Sequence, residues 1–143
     1  MFKLLEFGIR NQLSEIRRLS PIILKKKYYA HFQELTIWQR SHLLTLKIYS
    51  ISKKFPKDEM FGLTSQIRRS SFSIPTNIAE GCGRNSNAEL NRFLVISSGS
   101  ASELQYQLIL SKDLGYIIQS IFKELHDETI QIRKMIYSYC EKL

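Results

Sequence analysis

The polar side chains best placed to do chemistry in this sequence lie in one stretch, QIRRSSFSIPTNIAEG, at residues 66–81. On a helix that turns about 100° per residue, its polar members form a row. We call this the polar row, and it comprises Gln66, Arg69, Ser73, Asn77 and Glu80. A row of apolar residues lies directly beside it and comprises Leu63, Ile67, Ile74 and Ile78. Polar groups at the edge of a core must be hydrogen-bonded or paired. We therefore predict a structural polar cluster within one chain or between subunits.

Other residue types that carry catalysis or bind metals are sparse. None of the three histidines, His31, His42 and His126, follows a glutamate by three positions, so the Glu-x-x-His pairs of di-iron bundles are missing. The two cysteines, Cys82 and Cys140, have no metal-ligand spacing and are interpreted as reduced thiols of a cytoplasmic protein. No glycine-rich phosphate loop or Cys/His nucleophile pair stands out. The sequence predicts no catalytic residue, no metal and no cofactor.

The net charge of +8 is concentrated near the start of the chain. Residues 1–30 contain seven basic and two acidic residues, an excess of five, whereas the other 113 residues contain 14 basic and 11 acidic residues, an excess of three. If nucleic acid is bound, we expect weak, sequence-independent phosphate contacts that depend mainly on residues 1–30. The candidate contact residues are Arg68, Arg84, Lys25, Lys26 and Lys27.

Four helical segments would position these side chains. Apolar residues recur at helical spacing over residues 34–54, 58–80, 86–113 and 119–142, with a mean near 3.5 in the first and fourth segments. Ser86 and Glu89 form a capping box, Gly81 and Gly115 are placed to end helices, and Pro75 predicts a kink or short break. Short connections between long helices predict an all-α, antiparallel up-down-up-down four-helix bundle over residues 31–143. Residues 1–30 are predicted to be a basic, weakly packed extension.

Some apolar and small residues exceed what one bundle needs. Leu43 and Tyr49 widen the apolar surface of the first helix, and Phe72, Pro75 and Ala79 form a third surface on the second. The third helix contains the small-residue segment SSGSAS at 97–102, which predicts the close approach of another helix. Otherwise this segment is a tolerated weak spot of the helix. The extra apolar surfaces of the first and second helices favour a homo-oligomer. No segment is apolar for long enough to span a membrane.

The chain resembles a known family in seven segments. They are FQELTIWQ (32–39), IY (48–49), FP (55–56), GLTSQIRRSS (62–71), SIPTNIAEG (73–81), GSASELQYQL (99–108) and DLGYI (113–117). They look like the four-helix-bundle proteins encoded in intervening sequences of bacterial large-subunit (23S) rRNA. The resemblance implies a cytoplasmic, ring-like homopentamer without known enzymatic activity. It also implies that the arginine and acidic signatures of the family correspond to Arg69, Asn77, Glu80 and Glu103, so we predict that Arg69 pairs with Glu80 or Glu103.

Three functional interpretations remain open at this point. The first is a non-catalytic assembly or binding module that contacts RNA, in line with related accessory proteins of retroelements, which bind nucleic acid and a reverse transcriptase. The second is an enzyme, or a subunit of one, that uses the polar row. The third is a genetic passenger without a selected partner. The sequence alone does not separate a passenger from a binding module.

Overall fold

The structure, a computed structural model, describes residues 31–143, which form a bundle of four helices. The helices are α1 (Thr36–Ser52), α2 (Leu63–Cys82), α3 (Asn87–Asp113) and α4 (Gln119–Cys140). Helices α1 and α3 each pack against both α2 and α4, so the four helices form a closed square. The predicted all-α four-helix architecture is confirmed. The basic extension and its three lysines, Lys25, Lys26 and Lys27, lie outside the described residues.

The ends of α3 follow local sequence signals, whereas α2 begins at Leu63 and not at the predicted residue 58. Ser86 caps α3, because its hydroxyl accepts a hydrogen bond from the Glu89 amide at 3.2 Å, and Gly115 follows α3 with a φ of 77°. The predicted helix end at Gly81 is wrong, because α2 continues to Cys82. A Cβ atom on Gly81 would lie 3.0 Å from both the Leu90 Cδ1 and the Phe93 Cβ atoms. This glycine therefore allows α2 and α3 to pack closely.

The core is built from the apolar rows that the sequence displays. Ile67, Ile74 and Ile78 of α2 are completely buried, and Leu63 is nearly so. They pack with fully or almost fully buried residues of the other helices, among them Leu44, Ile48, Leu94, Leu104, Leu108, Ile132 and Ile136. Burying each such side chain stabilises the fold by about 1.5–3 kcal/mol. The edge of this core is where the polar row must lie.

Pro75 lies within α2 without interrupting it, although the sequence predicts a kink or break there. Proline has no amide hydrogen, so the carbonyl group of Ser71 loses its usual helical donor. The hydroxyl group of Thr45 on α1 lies 2.9 Å from that carbonyl oxygen and also 2.9 Å from the Ser41 carbonyl oxygen of its own helix, so its one hydrogen is shared between the missing bond and Ser41. The expectation that Pro75 belongs to an exposed surface is also wrong, because Pro75 is buried.

Candidate functional site

The polar row runs along the surface of α2 beside its buried face. Gln66, Arg69 and Glu80 are exposed, whereas Ser73 and Asn77 are half-buried. The Asn77 amide group donates to the backbone carbonyl of Ser73 at 2.8 Å, a bond within the same helix. The row therefore has the predicted position next to the core, but its charged members lie in solvent.

The predicted pairing of Arg69 with Glu80 or Glu103 is not formed within one chain. Glu80 pairs instead with Arg84, one helical turn further along, and Glu103 accepts a hydrogen bond from the Gln107 amide at 3.3 Å. Among the described residues, Arg69 makes no ion pair. The guanidinium group at the end of the long Arg69 side chain stays hydrated in solvent. An exposed ion pair with a carboxylate would add little stability there. Pairing between subunits remains a prediction.

Two buried polar contacts join α2 to α3. The Ser70 hydroxyl donates to the Gln107 side-chain oxygen at 2.5 Å across α2 and α3, and the Ser97 hydroxyl donates to the Ile74 carbonyl at 3.0 Å. Both contacts satisfy groups that would otherwise be unpaired in the core. Sequence analysis missed Ser70 and Gln107, although the position of Ser70 three residues after Ile67 places it on the buried side of α2.

Arg68, a candidate nucleic-acid contact, is occupied within the bundle. Its Nε atom donates to the Ser52 hydroxyl at 2.8 Å, and its guanidinium group lies 5.2 Å from the centre of the Tyr49 ring. These contacts join α1 to α2 and leave the side chain half-buried. A phosphate would have to compete with both contacts, so Arg68 is better suited to structural support.

Arg84, the second candidate, lies in the connector between α2 and α3. It pairs with Glu80, and its guanidinium group lies 4.9 Å from the centre of the Phe93 ring. Arg92 approaches the same ring at 5.6 Å and lies 3.7 Å from Glu89. Carboxylates therefore offset the positive charge on both arginines. The structure brings Arg84 together with Glu80 of the polar row but not with Arg68.

Helices α1 and α4 are joined by ion pairs that sequence analysis did not identify. Arg40 donates two hydrogen bonds to the Glu128 carboxylate, at 2.7 and 2.6 Å, and Lys47 pairs with Glu124 at 2.5 Å. The hydrogen bond from Arg40 holds the pKa of Glu128 below its usual value, and the same bond raises the pKa of Arg40. Sequence alone did not specify which helices are neighbours, so these pairs could not be assigned.

One pocket formed by the described residues is open to solvent. This groove of about 360 Å³ lies between the start of α1 and the end of α4, lined mainly by Leu35, Ile37, Met135 and Tyr139. The polar row lies on α2, away from this groove. Burial raises the pKa of the Cys82 thiol and so disfavours a reactive thiolate. Within residues 31–143, no group of three or more histidine, cysteine or acidic residues could hold a metal ion.

Two helices carry exposed apolar residues at the spacing of a packing surface. The α1 outer face comprises Gln39, Leu43, Leu46 and Ser50, and its two leucines are 57% and 53% exposed. The α3 outer face comprises Val95, Gly99, Ser102, Tyr106 and Ile109, with Val95 and Tyr106 59% and 62% exposed. Both sets recur at alternating spacings of four and three residues, as do buried positions between helices. Large apolar residues exposed at such a spacing are available for contact with a partner.

The predicted third surface on α2 is only partly formed. Phe72 is exposed and Ala79 is half-buried. Tyr49 of α1 is exposed at its margin, beside Arg68. The small residues of α3, at which we expected another helix to approach closely, lie on two sides of the helix. Ser97 and Ala101 face the core, whereas a Cβ atom on Gly99 would meet nothing within 4 Å in the described part of the chain.

Comparison with known proteins agrees with this architecture. A crystal structure of a protein of unknown function from the S23 ribosomal protein family of Bacteroides thetaiotaomicron is similar, with a TM-score of 0.69 and 25% sequence identity. The similarity covers 73% of this chain and 98% of that chain. No curated protein shows significant sequence similarity. None of the described helices is both long and apolar enough to cross a membrane. Residues 33–138 match the family model of the 23S rRNA-intervening sequence protein, and the chain belongs to that family.

Proposed function

We propose that this chain is a non-catalytic assembly module that works as a homo-oligomer. The observation that carries the proposal is the exposed apolar residues of the α1 and α3 outer faces, above all Leu43, Leu46, Val95 and Tyr106. Burying them against other copies removes apolar area from water at about 25 cal/mol per Å². The family resemblance adds an expected copy number of five.

Several observations support a role without catalysis. The charged members of the polar row lie in solvent, where no enclosed pocket of the described residues surrounds them. The buried serine and threonine hydroxyls, such as those of Thr45, Ser70 and Ser97, donate to groups of the fold itself. Each therefore has a structural role that accounts for its presence.

Sedimentation equilibrium at 0.15 M and 1 M salt tests the assembly. Association through apolar faces should persist at the higher salt concentration, because screening acts on charges and not on apolar burial. An assembly that dissociates at 1 M salt would instead depend on charged contacts. Such a result would contradict the assignment of the two outer faces.

We further propose that the assembly binds RNA weakly and without sequence preference, through phosphate contacts. The excess of positive charge in residues 1–30 supports this second role. The engagement of Arg68 with Ser52 and of Arg84 with Glu80 supports a small contribution from the bundle. Each phosphate contact should steepen the dependence of log affinity on log salt by about 0.7–0.9.

A matched pair of variants of the full chain tests this role. One replaces Lys25, Lys26 and Lys27 with alanine, and the other replaces Lys53, Lys54 and Lys57, three exposed lysines in the connector between α1 and α2, with alanine. Both variants lose three positive charges. Titration of a labelled RNA at several salt concentrations should show a larger loss of affinity and a shallower salt slope for the first variant. Equal losses would remove the special role of residues 25–27, and tight, salt-insensitive binding by either variant would contradict phosphate-based recognition.

A further inference from the structure

We infer that the α1 outer face of one copy packs against the α3 outer face of the next copy. This inference rests on the proposed homo-oligomer and specifies its interface. The contact is heterologous, which means that each copy contributes two different surfaces. The bundle is suited to this arrangement because α1 and α3 do not contact each other in the described part of the chain and occupy opposite corners of the square.

The shapes of the two faces are complementary. The α1 outer face has its large residues, Leu43 and Leu46, in the middle. The α3 outer face has the reverse pattern, with Gly99 and Ser102 in the middle between larger residues. The two leucines are three residues apart, as are the glycine and the serine, so both pairs present the same spacing along a helix. Leucines on one helix can therefore enter the shallow site on the other, in the manner of knobs into holes.

The open space around Gly99 supports this assignment. In the described residues, an added Cβ at this position would contact nothing within 4 Å, so the packing of the single chain does not require glycine. Glycine in a helix interior costs up to about 1 kcal/mol relative to alanine. Close approach of a helix from a second copy gives this residue a role that the single chain does not supply.

The directions of the helices favour a parallel pairing of α1 with α3. With the leucines over Gly99 and Ser102, this arrangement brings Lys53 towards Ile109 and Asp113. Pairing of α1 with α1 is disfavoured, because residues 36–57 contain five basic residues, of which two are paired with α4, and no acidic residue. In an up-down-up-down bundle α1 and α3 run in the same direction. Rotation about an axis along the bundle therefore brings them together in parallel, and repeated rotation closes a ring.

Complementation between two full-length variants tests the inference. Leu46→Glu disrupts the α1 outer face, and Gly99→Glu disrupts the α3 outer face. Both positions are exposed, so each variant should retain the fold, which circular dichroism and thermal unfolding verify. Gln131→Glu introduces the same charge at an exposed site of α4 outside both faces and serves as the control. Light scattering then gives the mass of each variant and of an equimolar mixture.

The inference predicts a distinctive set of masses. Each face variant alone should be a monomer, because one of the two surfaces that form the contact is disrupted in every chain of the solution. The mixture should give a heterodimer of twice the monomer mass, because one intact α1 face meets one intact α3 face, and the control should keep the wild-type mass. A monomeric mixture, or a face variant that assembles alone, would overturn the pairing. If the wild type assembles, this failure leaves the proposed function standing. A monomeric wild type would overturn both.

Discussion

The two faces of α3 have similar patterns but different surroundings. Towards the core, Ser97 and Ala101 lie among large apolar residues at the helix-packing spacing, and all are buried by α2 and α4. Towards solvent, Gly99 and Ser102 lie among Val95, Tyr106 and Ile109 at the same spacing, and all are exposed. A periodic apolar pattern thus indicates that a helix has a packing surface. The structure is needed to decide whether another helix of the same chain covers that surface.

The largest expected difference between the two faces concerns the free energy of unfolding of the single chain. Leu104→Ala removes a fully buried side chain and should destabilise the fold by about 2–5 kcal/mol. Tyr106→Ala, two residues further along on the outer face, should change the stability of the monomer by less than about 0.5 kcal/mol. Urea unfolding at concentrations where the chain is monomeric measures both. Equal effects would mean that Tyr106 packs within its own chain.

A second prediction concerns the carbonyl group that Pro75 leaves without a helical donor. Thr45→Val removes the hydroxyl that donates to the Ser71 carbonyl and should destabilise the fold by about 1–3 kcal/mol. Pro75→Ala restores an amide donor for the same carbonyl. The effect of Thr45→Val should therefore be smaller in the Pro75→Ala background. A double-mutant cycle measures this coupling.

Thr129→Val is the control for that cycle. The hydroxyl of Thr129 is equally buried but donates only to the Leu125 carbonyl of its own helix, at 2.7 Å. Its replacement should have the same effect with Pro75 or with alanine at position 75. Additive effects of Thr45→Val and Pro75→Ala would show that Thr45 does not compensate for the proline.

Two glycine substitutions should have opposite signs. Gly99→Ala should stabilise the single chain by up to about 1 kcal/mol, because alanine favours the helix and no neighbour is displaced in the described residues. Gly81→Ala should destabilise it, because the Cβ of Phe93 lies 3.0 Å away and is fixed to its backbone. Thermal unfolding under monomeric conditions compares the two. Stabilisation by Gly81→Ala would contradict the close packing of α2 on α3.

The smallest expected effect is that of the α1–α4 ion pair. The folded-state pKa of Glu128 is below its usual value. The ionised Glu128 therefore stabilises the folded state, and this stabilisation is fully present above the unfolded-state pKa of about 4.3. It is lost as the pH falls through the lower folded-state pKa. Glu128→Gln should destabilise the fold by about 0.5–1 kcal/mol at pH 7, and the difference should vanish in acid. Glu124→Gln, which breaks a more exposed pair, should have a smaller effect.

The fold could be predicted from the sequence because its signals are local or periodic. The spacing of Ile67, Ile74 and Ile78 predicts the buried side of α2, and Ser86 predicts the start of α3; both are confirmed. The predicted end of α2 at Gly81 was wrong, because a glycine that allows close packing looks the same in sequence as a glycine that ends a helix. The neighbouring Leu90 and Phe93 on α3 distinguish the two roles.

The candidate site was less predictable because its contacts depend on distant parts of the chain. The polar row is placed correctly beside the core, yet the partner of Glu80 is Arg84 rather than Arg69. The bond between Ser70 and Gln107 joins residues 37 positions apart, which no helical periodicity could reveal. The α3 outer face was visible in sequence only as a segment of small residues, because its exposure is a property of the assembled bundle.

Native mass spectrometry of the wild-type chain at micromolar concentration tests the central claim most directly. The chain mass is 16.8 kDa, so assembly through the two outer faces predicts an integer multiple of this value, with five copies expected from the family resemblance. A different closed ring would correct the copy number and leave the two-face interface intact. A single species at the mass of one chain would contradict the account, because the apolar residues of α1 and α3 would then have no partner copy.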